Sequence, residues 1–225
     1  MNTIKSLLIT VFLTLSIGLS GRSVLEFDSQ QTTHEDAAKL MEVGQDYFQK
    51  SNYSKALVYF SKARNIVIKG DGEEAEDLGG IYSLIGLCYF QMGKIDVAVD
   101  NMEKGVRIWK MYDNICHEGG LYTCYVLALL YFTNHDDDKA LVYYTMAAEI
   151  GSSILDEENA LLAEIYERLG LLYGIDDEKK SLQYYKYSLN IYQRILKGEE
   201  KIEKVKELSD MIKILEESIA LDEEN

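Results

Sequence analysis

The chain has 225 residues, of which 47% are hydrophobic and 27% are charged, a balance typical of folded globular proteins rather than disordered ones. Its 38 acidic and 23 basic residues give a formal net charge of −15. Repulsion between like charges therefore argues against binding to nucleic acids or to an anionic membrane surface. Proline is absent, which removes the strongest helix breaker and favours long helices.

The first 21 residues have the pattern of a secretory signal peptide. Lys5 supplies a positive charge, the stretch from Leu7 to Leu19 is apolar, and small residues follow it. The apolar stretch is shorter than the ~20 residues that a membrane span needs, so an uncleaved anchor is the less favoured alternative. We predict that residues 1–21 direct export to a periplasmic or extracellular location, and that the mature chain has no membrane span.

Residues 22–35 are polar without any period and are predicted to form a linker. After this segment a small residue recurs every 42 residues, and a tyrosine follows it three positions later. The small residues are Gly44, Gly86, Ala128 and Gly170, and the tyrosines are Tyr47, Tyr89, Tyr131 and Tyr173. Further small and large residues follow at helical spacings, after turn residues such as those in "SN" and "GK". Each 42-residue unit is therefore predicted to be a helical hairpin.

This pattern resembles the tetratricopeptide repeat, which places a large residue, Leu-Gly, Tyr, Ala, Phe and Ala at the same offsets. In the first unit the matching residues are Leu40, Val43, Gly44, Tyr47, Ala56, Phe60 and Ala63. The resemblance implies an all-α, right-handed α-solenoid of about four hairpins within residues 36–198. The expected repeats are about 36–70, 73–113, 115–155 and 157–197. The period exceeds the common 34 residues, as in the long-repeat class.

Residues 199–225 lie outside the repeat and are predicted to form a helix that caps the last hairpin. Apolar residues recur there at steps of three and four, while the opposite side is charged. The apolar residues are Ile202, Val205, Leu208, Ile212, Leu215 and Ile219.

Residues with catalytic or metal-binding chemistry are few and poorly arranged. Cys116, His117 and Cys124 lack the paired spacing of zinc sites, and the three cysteines fit buried thiols better. The acidic run at residues 136–138 fits a helix cap better than a calcium loop, which needs a turn glycine and a distant glutamate. We expect no enzymatic activity, no metal and no cofactor.

Partner binding in tetratricopeptide repeats usually involves the first helix of each hairpin, which lines the concave face. By this resemblance the candidate partner-binding residues are Ser83, Leu87, Phe90, Tyr122, Tyr125, Leu129 and Phe132. The first helices of the second and third units are apolar almost all round, so they either line an open groove or are buried. The resemblance implies an exported, non-catalytic scaffold that binds a peptide or protein partner. The alternative is a sensor or regulator that binds a small peptide inside the superhelix.

Overall fold

The computed structural model describes residues 29–174 and 176–223, so the predicted signal peptide at 1–21 lies outside the described residues. Within those ranges the chain forms nine α-helices and no strands. They are α1 (Ser29–Gln49), α2 (Tyr53–Asp71), α3 (Leu78–Gln91), α4 (Ile95–Met111), α5 (Glu118–Thr133), α6 (Asp137–Ile154), α7 (Ala160–Tyr173), α8 (Glu178–Ile195) and α9 (Gly198–Glu223). The predicted all-α architecture is confirmed. Residues 29–35, which the sequence assigned to the linker 22–35, instead belong to α1.

The chain forms two compact units that divide after Leu130, within α5. In the first unit α1 packs on α2, α2 on α3, and α3 on α4. In the second unit α6 packs on α7, α7 on α8, and α8 on α9. No described helix combines the length and apolarity needed to cross a bilayer.

Small residues let the two helices of a hairpin approach closely. A methyl group added to Gly44 would lie 2.5 Å from the Phe60 ring, and one on Gly86 would lie 2.6 Å from Cγ of Met102. On Gly170 it would lie 3.0 Å from the ring of Tyr185. In each case a large second-helix side chain occupies the volume that a first-helix side chain would need. The recurring glycine of the sequence is thus a helix-contact residue.

Stacked tyrosines recur beside these glycine contacts. In the first hairpin the rings of Tyr47 and Tyr59 lie 5.4 Å apart, and the Lys55 ammonium lies 5.0 Å from the centre of the Tyr47 ring. Equivalent stacks occur in the third and fourth hairpins, formed by Tyr131, Tyr143 and Lys139 and by Tyr173, Tyr184 and Lys180. Offset stacking and the attraction of a cation to an aromatic face each favour this layering. The high tyrosine content follows from repetition of this stack.

Side-chain caps begin several second helices. Asn52, Asp136 and Asp177 each accept a hydrogen bond from the backbone N–H three residues later, which begins α2, α6 and α8. These bonds satisfy amide groups that a helix N-terminus leaves without partners. The acidic run at residues 136–138 therefore supplies a cap, as predicted.

Helix α9 packs on the last hairpin through one apolar side. Leu208, Ile212 and Leu215 are buried in a cluster with Tyr185 of α8. Lys186 of α8 forms an ion pair of 2.7 Å with Glu216. Ile202, which the sequence placed on the packing face, is instead 70% exposed. It precedes Leu208 by six residues, and six steps of 100° rotate its side chain well away from that face.

The three cysteines differ in their surroundings. Cys88 and Cys124 are fully buried among apolar residues, whereas Cys116 is exposed, which corrects the prediction that all three are buried. Burial raises the pKa of Cys88, and it raises that of Cys124 to about 12 against a smaller lowering effect of Lys110. Both buried thiols therefore remain protonated near neutral pH.

His117 caps α5 and contacts the single tryptophan of the chain. Its Nδ1 accepts a hydrogen bond of 3.1 Å from the Gly120 N–H, and its ring meets that of Trp109 edge-on at 4.7 Å. Burial lowers the pKa of His117, against a smaller raising effect of a hydrogen bond with the Asn114 backbone. A protonated Nδ1 has no lone pair for the Gly120 amide, so the cap requires neutral histidine.

A pair of glycine substitutions on α3 tests the close helix contact. Gly86→Ala should lower the free energy of unfolding by about 1–3 kcal/mol, because its methyl group would overlap Met102. Gly80→Ala is the matched control, since its methyl group would have no neighbour closer than 4.0 Å. It should be neutral or stabilising by up to ~1 kcal/mol, because alanine favours helix. Denaturant unfolding followed by circular dichroism measures both, and equal effects would contradict the contact.

The His117 cap predicts a pH dependence of stability. Because the pKa of His117 is lowered in the folded state, the unfolded chain binds the proton more readily. The contribution of His117 to the free energy of unfolding is therefore complete above its unfolded pKa of about 6.5 and is lost as the pH falls below that value. His117→Asn should remove this component, because asparagine can cap a helix and does not titrate. Unfolding followed by Trp109 fluorescence between pH 7.5 and 5.5 measures it.

The control for this experiment is His135→Asn. His135 lies outside the α5 cap and has φ of 61°, a conformation that asparagine adopts more readily than most residues, so this variant should fold like the wild type. A wild-type slope retained in His117→Asn would contradict the assignment.

Candidate functional site

The seven candidate partner-binding residues divide into buried and accessible sets. Four are buried, namely Ser83, Leu87, Tyr122 and Tyr125, and three are partly exposed, namely Phe90, Leu129 and Phe132. Tyr125, at 3% exposed, has almost no surface for a partner. The assignment of the four buried residues to an open groove is therefore corrected.

Ser83 has a packing role. Its hydroxyl donates a hydrogen bond of 3.0 Å to the carbonyl of Gly79 on the same helix. A methyl group on Gly105 of α4 would lie 2.5 Å from the Ser83 Oγ, so α3 and α4 meet at this point. Ser83 is thus one of the small residues that let helices approach, rather than a residue that faces a ligand.

In the second unit, Phe132 is accessible beside a charged pair on α7. The Arg168 guanidinium lies 5.6 Å from the centre of the Phe132 ring. The Oε1 atom of Glu164 lies 3.9 Å from Arg168 Nη2, and both side chains are about one-third exposed, at 33% and 35%. A cation over an aromatic face favours the ring position, so Arg168 holds Phe132 in a defined place.

A second charged group extends this surface toward α9. Lys204 Nζ lies 2.7 Å from Oε1 of Glu167 and 3.2 Å from Oε2 of Glu207. Partial burial by itself would lower the pKa of Lys204, but hydrogen bonds with Glu167 and then Glu207 outweigh it and leave the pKa raised. Lys204 therefore stays charged through neutral pH. We call the surface formed by Phe132, Glu164, Glu167, Arg168 and Lys204 the α7 face.

Sequence reasoning placed Phe132 in the site but missed Arg168 and Lys204. The sequence does contain a signal for Arg168: it follows Glu164 by four residues, so the two charged side chains are expected on the same side of α7. Lys204 carries no comparable signal, since it meets Glu167 only through the packing of α9. The α7 face can hold a ligand that has both apolar and charged groups.

In the part of the chain that the structure describes, no three His, Cys, Asp or Glu side chains converge on a possible metal position. Cys116 and Cys124, the cysteines nearest to His117 in the sequence, are exposed and fully buried respectively. His117 itself is engaged as a helix cap.

Comparison with known proteins gives one family match and several similar folds. A model of the tetratricopeptide repeat matches residues 35–111. No curated protein matches the chain in sequence. One similar solved structure contains the nearly identical TPR-like repeats of a Podosopora anserina kinesin light chain. It is 16% identical to this chain, with a TM-score of 0.59, and the match covers 80% of this chain and 95% of that one.

Two further solved structures belong to Rap proteins. The apo form of RapI is 14% identical with a TM-score of 0.57, covering 82% of this chain and 49% of that one. The Rap conjugation gene regulator of plasmid pLS20, in complex with the Phr* peptide, is 17% identical with a TM-score of 0.50, covering 88% of this chain and 59% of that one. At such identities the likeness concerns the fold. Together with the repeat match to residues 35–111, it shows that the chain has a tetratricopeptide-like helical-repeat fold.

Proposed function

We propose that this protein is an exported, non-catalytic interaction module that binds a peptide or protein partner. The observation that carries the proposal is the accessible Phe132 ring, which Arg168 holds from α7 at 5.6 Å. Aromatic and arginine side chains dominate binding energy at protein interfaces. A ring already held in place loses little conformational entropy when a partner covers it.

The α7 face favours a partner with mixed chemistry. Glu164 and Arg168 offer both signs of charge beside the ring, at about one-third exposure each. A segment with an apolar side chain next to a charged or polar one matches this arrangement. The pLS20 Rap protein, whose fold this chain shares, is in complex with a peptide, which supports a peptide as the ligand class.

Two forms of this function differ in the size of the partner. In the first, the protein is a scaffold that contacts another folded protein. In the second, it senses or is regulated by a small peptide, and the complex of the pLS20 Rap protein favours this form. The non-catalytic part of the proposal is supported by the match of residues 35–111 to the tetratricopeptide repeat, because such stacked repeats form extended binding surfaces.

Export is proposed from residues 1–21 of the sequence, which have the charge, apolar core and small residues of a signal peptide. The native protein should be recovered from the exported fraction with a new N-terminus near residue 22. Mass spectrometry of the intact protein measures this directly. Recovery of a chain that begins at Met1 and remains inside the cell would contradict export.

Site-specific cross-linking tests the binding surface. A photo-reactive phenylalanine analogue in place of Phe132 should form a discrete adduct with the partner in the native compartment, because this ring is expected to lie in the interface. The matched control carries the same group at Val142 on α6, which is 56% exposed.

Adducts at Val142 equal to those at position 132 would contradict the proposal. Once the adduct is identified, Phe132→Ala should weaken binding by about 2 kcal/mol, or roughly thirtyfold, without loss of helix content. Loss of helix content with no loss of affinity would instead indicate a purely structural ring.

A further inference from the structure

A groove of about 330 Å³ lies within the second unit, between the end of α6, α7 and α8. Its floor is apolar, because Leu162 and Ile191 are buried there at 4% and 6% exposure. Tyr166 and Tyr187 form one wall, with ring centres 5.4 Å apart and planes tilted by 50°. Leu155 completes the apolar lining. We call this the α6–α8 groove.

The rim of the groove is polar and rich in hydrogen-bond donors. Arg194 and Asn190 lie along it, together with Glu157 and with Ser152, whose hydroxyl donates to the Glu149 carbonyl of its own helix at 3.0 Å. The hydroxyl of Tyr187 accepts a hydrogen bond of 2.7 Å from the Gln183 side chain, so its own hydrogen can be donated to another group. Guanidinium, amide and phenol donors beside an apolar floor suit a ligand that has a carboxylate next to an apolar group.

Arg194 forms only a long, solvent-exposed ion pair within this chain, with Glu157. Its Nη1 lies 3.4 Å from Oε2 of Glu157, whose side chain is 91% exposed. A solvated pair of this kind contributes little to stability, so a carboxylate held by the groove can replace Glu157. Arginine also binds a carboxylate through two parallel hydrogen bonds when the geometry permits, which Glu157 does not do here.

The α6–α8 groove is separate from the α7 face. Tyr166 and Arg168 are two residues apart on α7, so their side chains leave the helix about 200° from each other.

The volume of the α6–α8 groove is near the lower end of the roughly 300–1,000 Å³ typical of ligand pockets, enough for one or two peptide residues. We propose that this groove binds a peptide residue whose apolar side chain lies directly beside a carboxylate. The carboxylate comes from either a chain terminus or an adjacent acidic residue.

Three synthetic peptides test the proposal against the purified full chain by isothermal titration calorimetry. The first is acetyl-Gly-Ser-Gly-Leu with a free carboxylate, and the second is the same peptide with an amidated end. The third is acetyl-Gly-Ser-Gly-Leu-Asp-amide. The first or the third should bind about tenfold more tightly than the second, because a charged group forms the stronger hydrogen bonds. Whichever binds identifies the source of the carboxylate.

Two variants of the rim should change affinity in opposite directions. Arg194→Gln should weaken binding of the carboxylate peptide about tenfold, because the cation is lost. Glu157→Gln should strengthen it, because the competing carboxylate is removed, and its 91% exposure makes a folding defect unexpected. Arg107→Gln, which changes the same charge on an exposed side chain of α4, should have no effect.

Several results would overturn the proposal. These are equal binding of the amidated peptide, equal effects of Arg194→Gln and Arg107→Gln, or no binding of any of the three peptides at millimolar concentration. Concentration-dependent self-association that responds to Arg194→Gln while the peptides fail to bind would also overturn it, because the occupant would then be a second copy. Circular dichroism checks that each variant is folded. If Arg194→Gln does not fold, the peptide affinity of Glu157→Gln decides the question.

Discussion

The close approach of paired helices at glycine is the constraint on which the remaining structure depends. Gly44, Gly86 and Gly170 each lack the side chain that would collide with a large residue of the facing helix. With the helices this near, a tyrosine three positions later lies along the same contact and meets a second-helix residue. In three of the four hairpins that residue is another tyrosine, and a lysine lies over the ring of the first-helix tyrosine. The close contact at a small residue and the tyrosine stack thus account together for the helix packing and the high tyrosine content.

The hairpins were predictable because their determinants are local in sequence. A glycine and the large residue that covers it, such as Gly44 and Phe60, are 16 residues apart in one unit and recur with the repeat. The accessible side of an almost wholly apolar helix was not predictable, because such a helix has no polar side to mark its surface. Tyr122 and Tyr125 are buried whereas Phe132, on the same helix, is partly exposed, although all three are aromatic.

The charged parts of both candidate sites depend on contacts between helices. Glu157 meets Arg194, and Glu167 meets Lys204, and each pair is separated by 37 residues. That separation is close to the length of one repeat, so the partners lie on different elements that the repeat architecture brings together. Glu157 lies in the connection between α6 and α7 and Arg194 on α8, whereas Glu167 lies on α7 and Lys204 on α9. Single-sequence analysis identifies each residue as an ordinary exposed charge. Only the packing within the fourth hairpin, and of α9 against it, shows which charges meet.

Helix α7 contributes to both candidate sites through opposite sides. Its contact with Tyr185 at Gly170 fixes its distance from α8, so a ligand in the α6–α8 groove meets a wall that is already in place. The α7 face instead depends partly on α9, because Lys204 of that helix holds Glu167. Disturbing α9 would therefore alter the charge pattern of the α7 face directly, whereas it can reach the groove only through α8, since no residue of α9 lines the groove. The two candidate surfaces thus share α7 but depend on different neighbours of that helix, α5 and α9 for the α7 face and α6 and α8 for the groove.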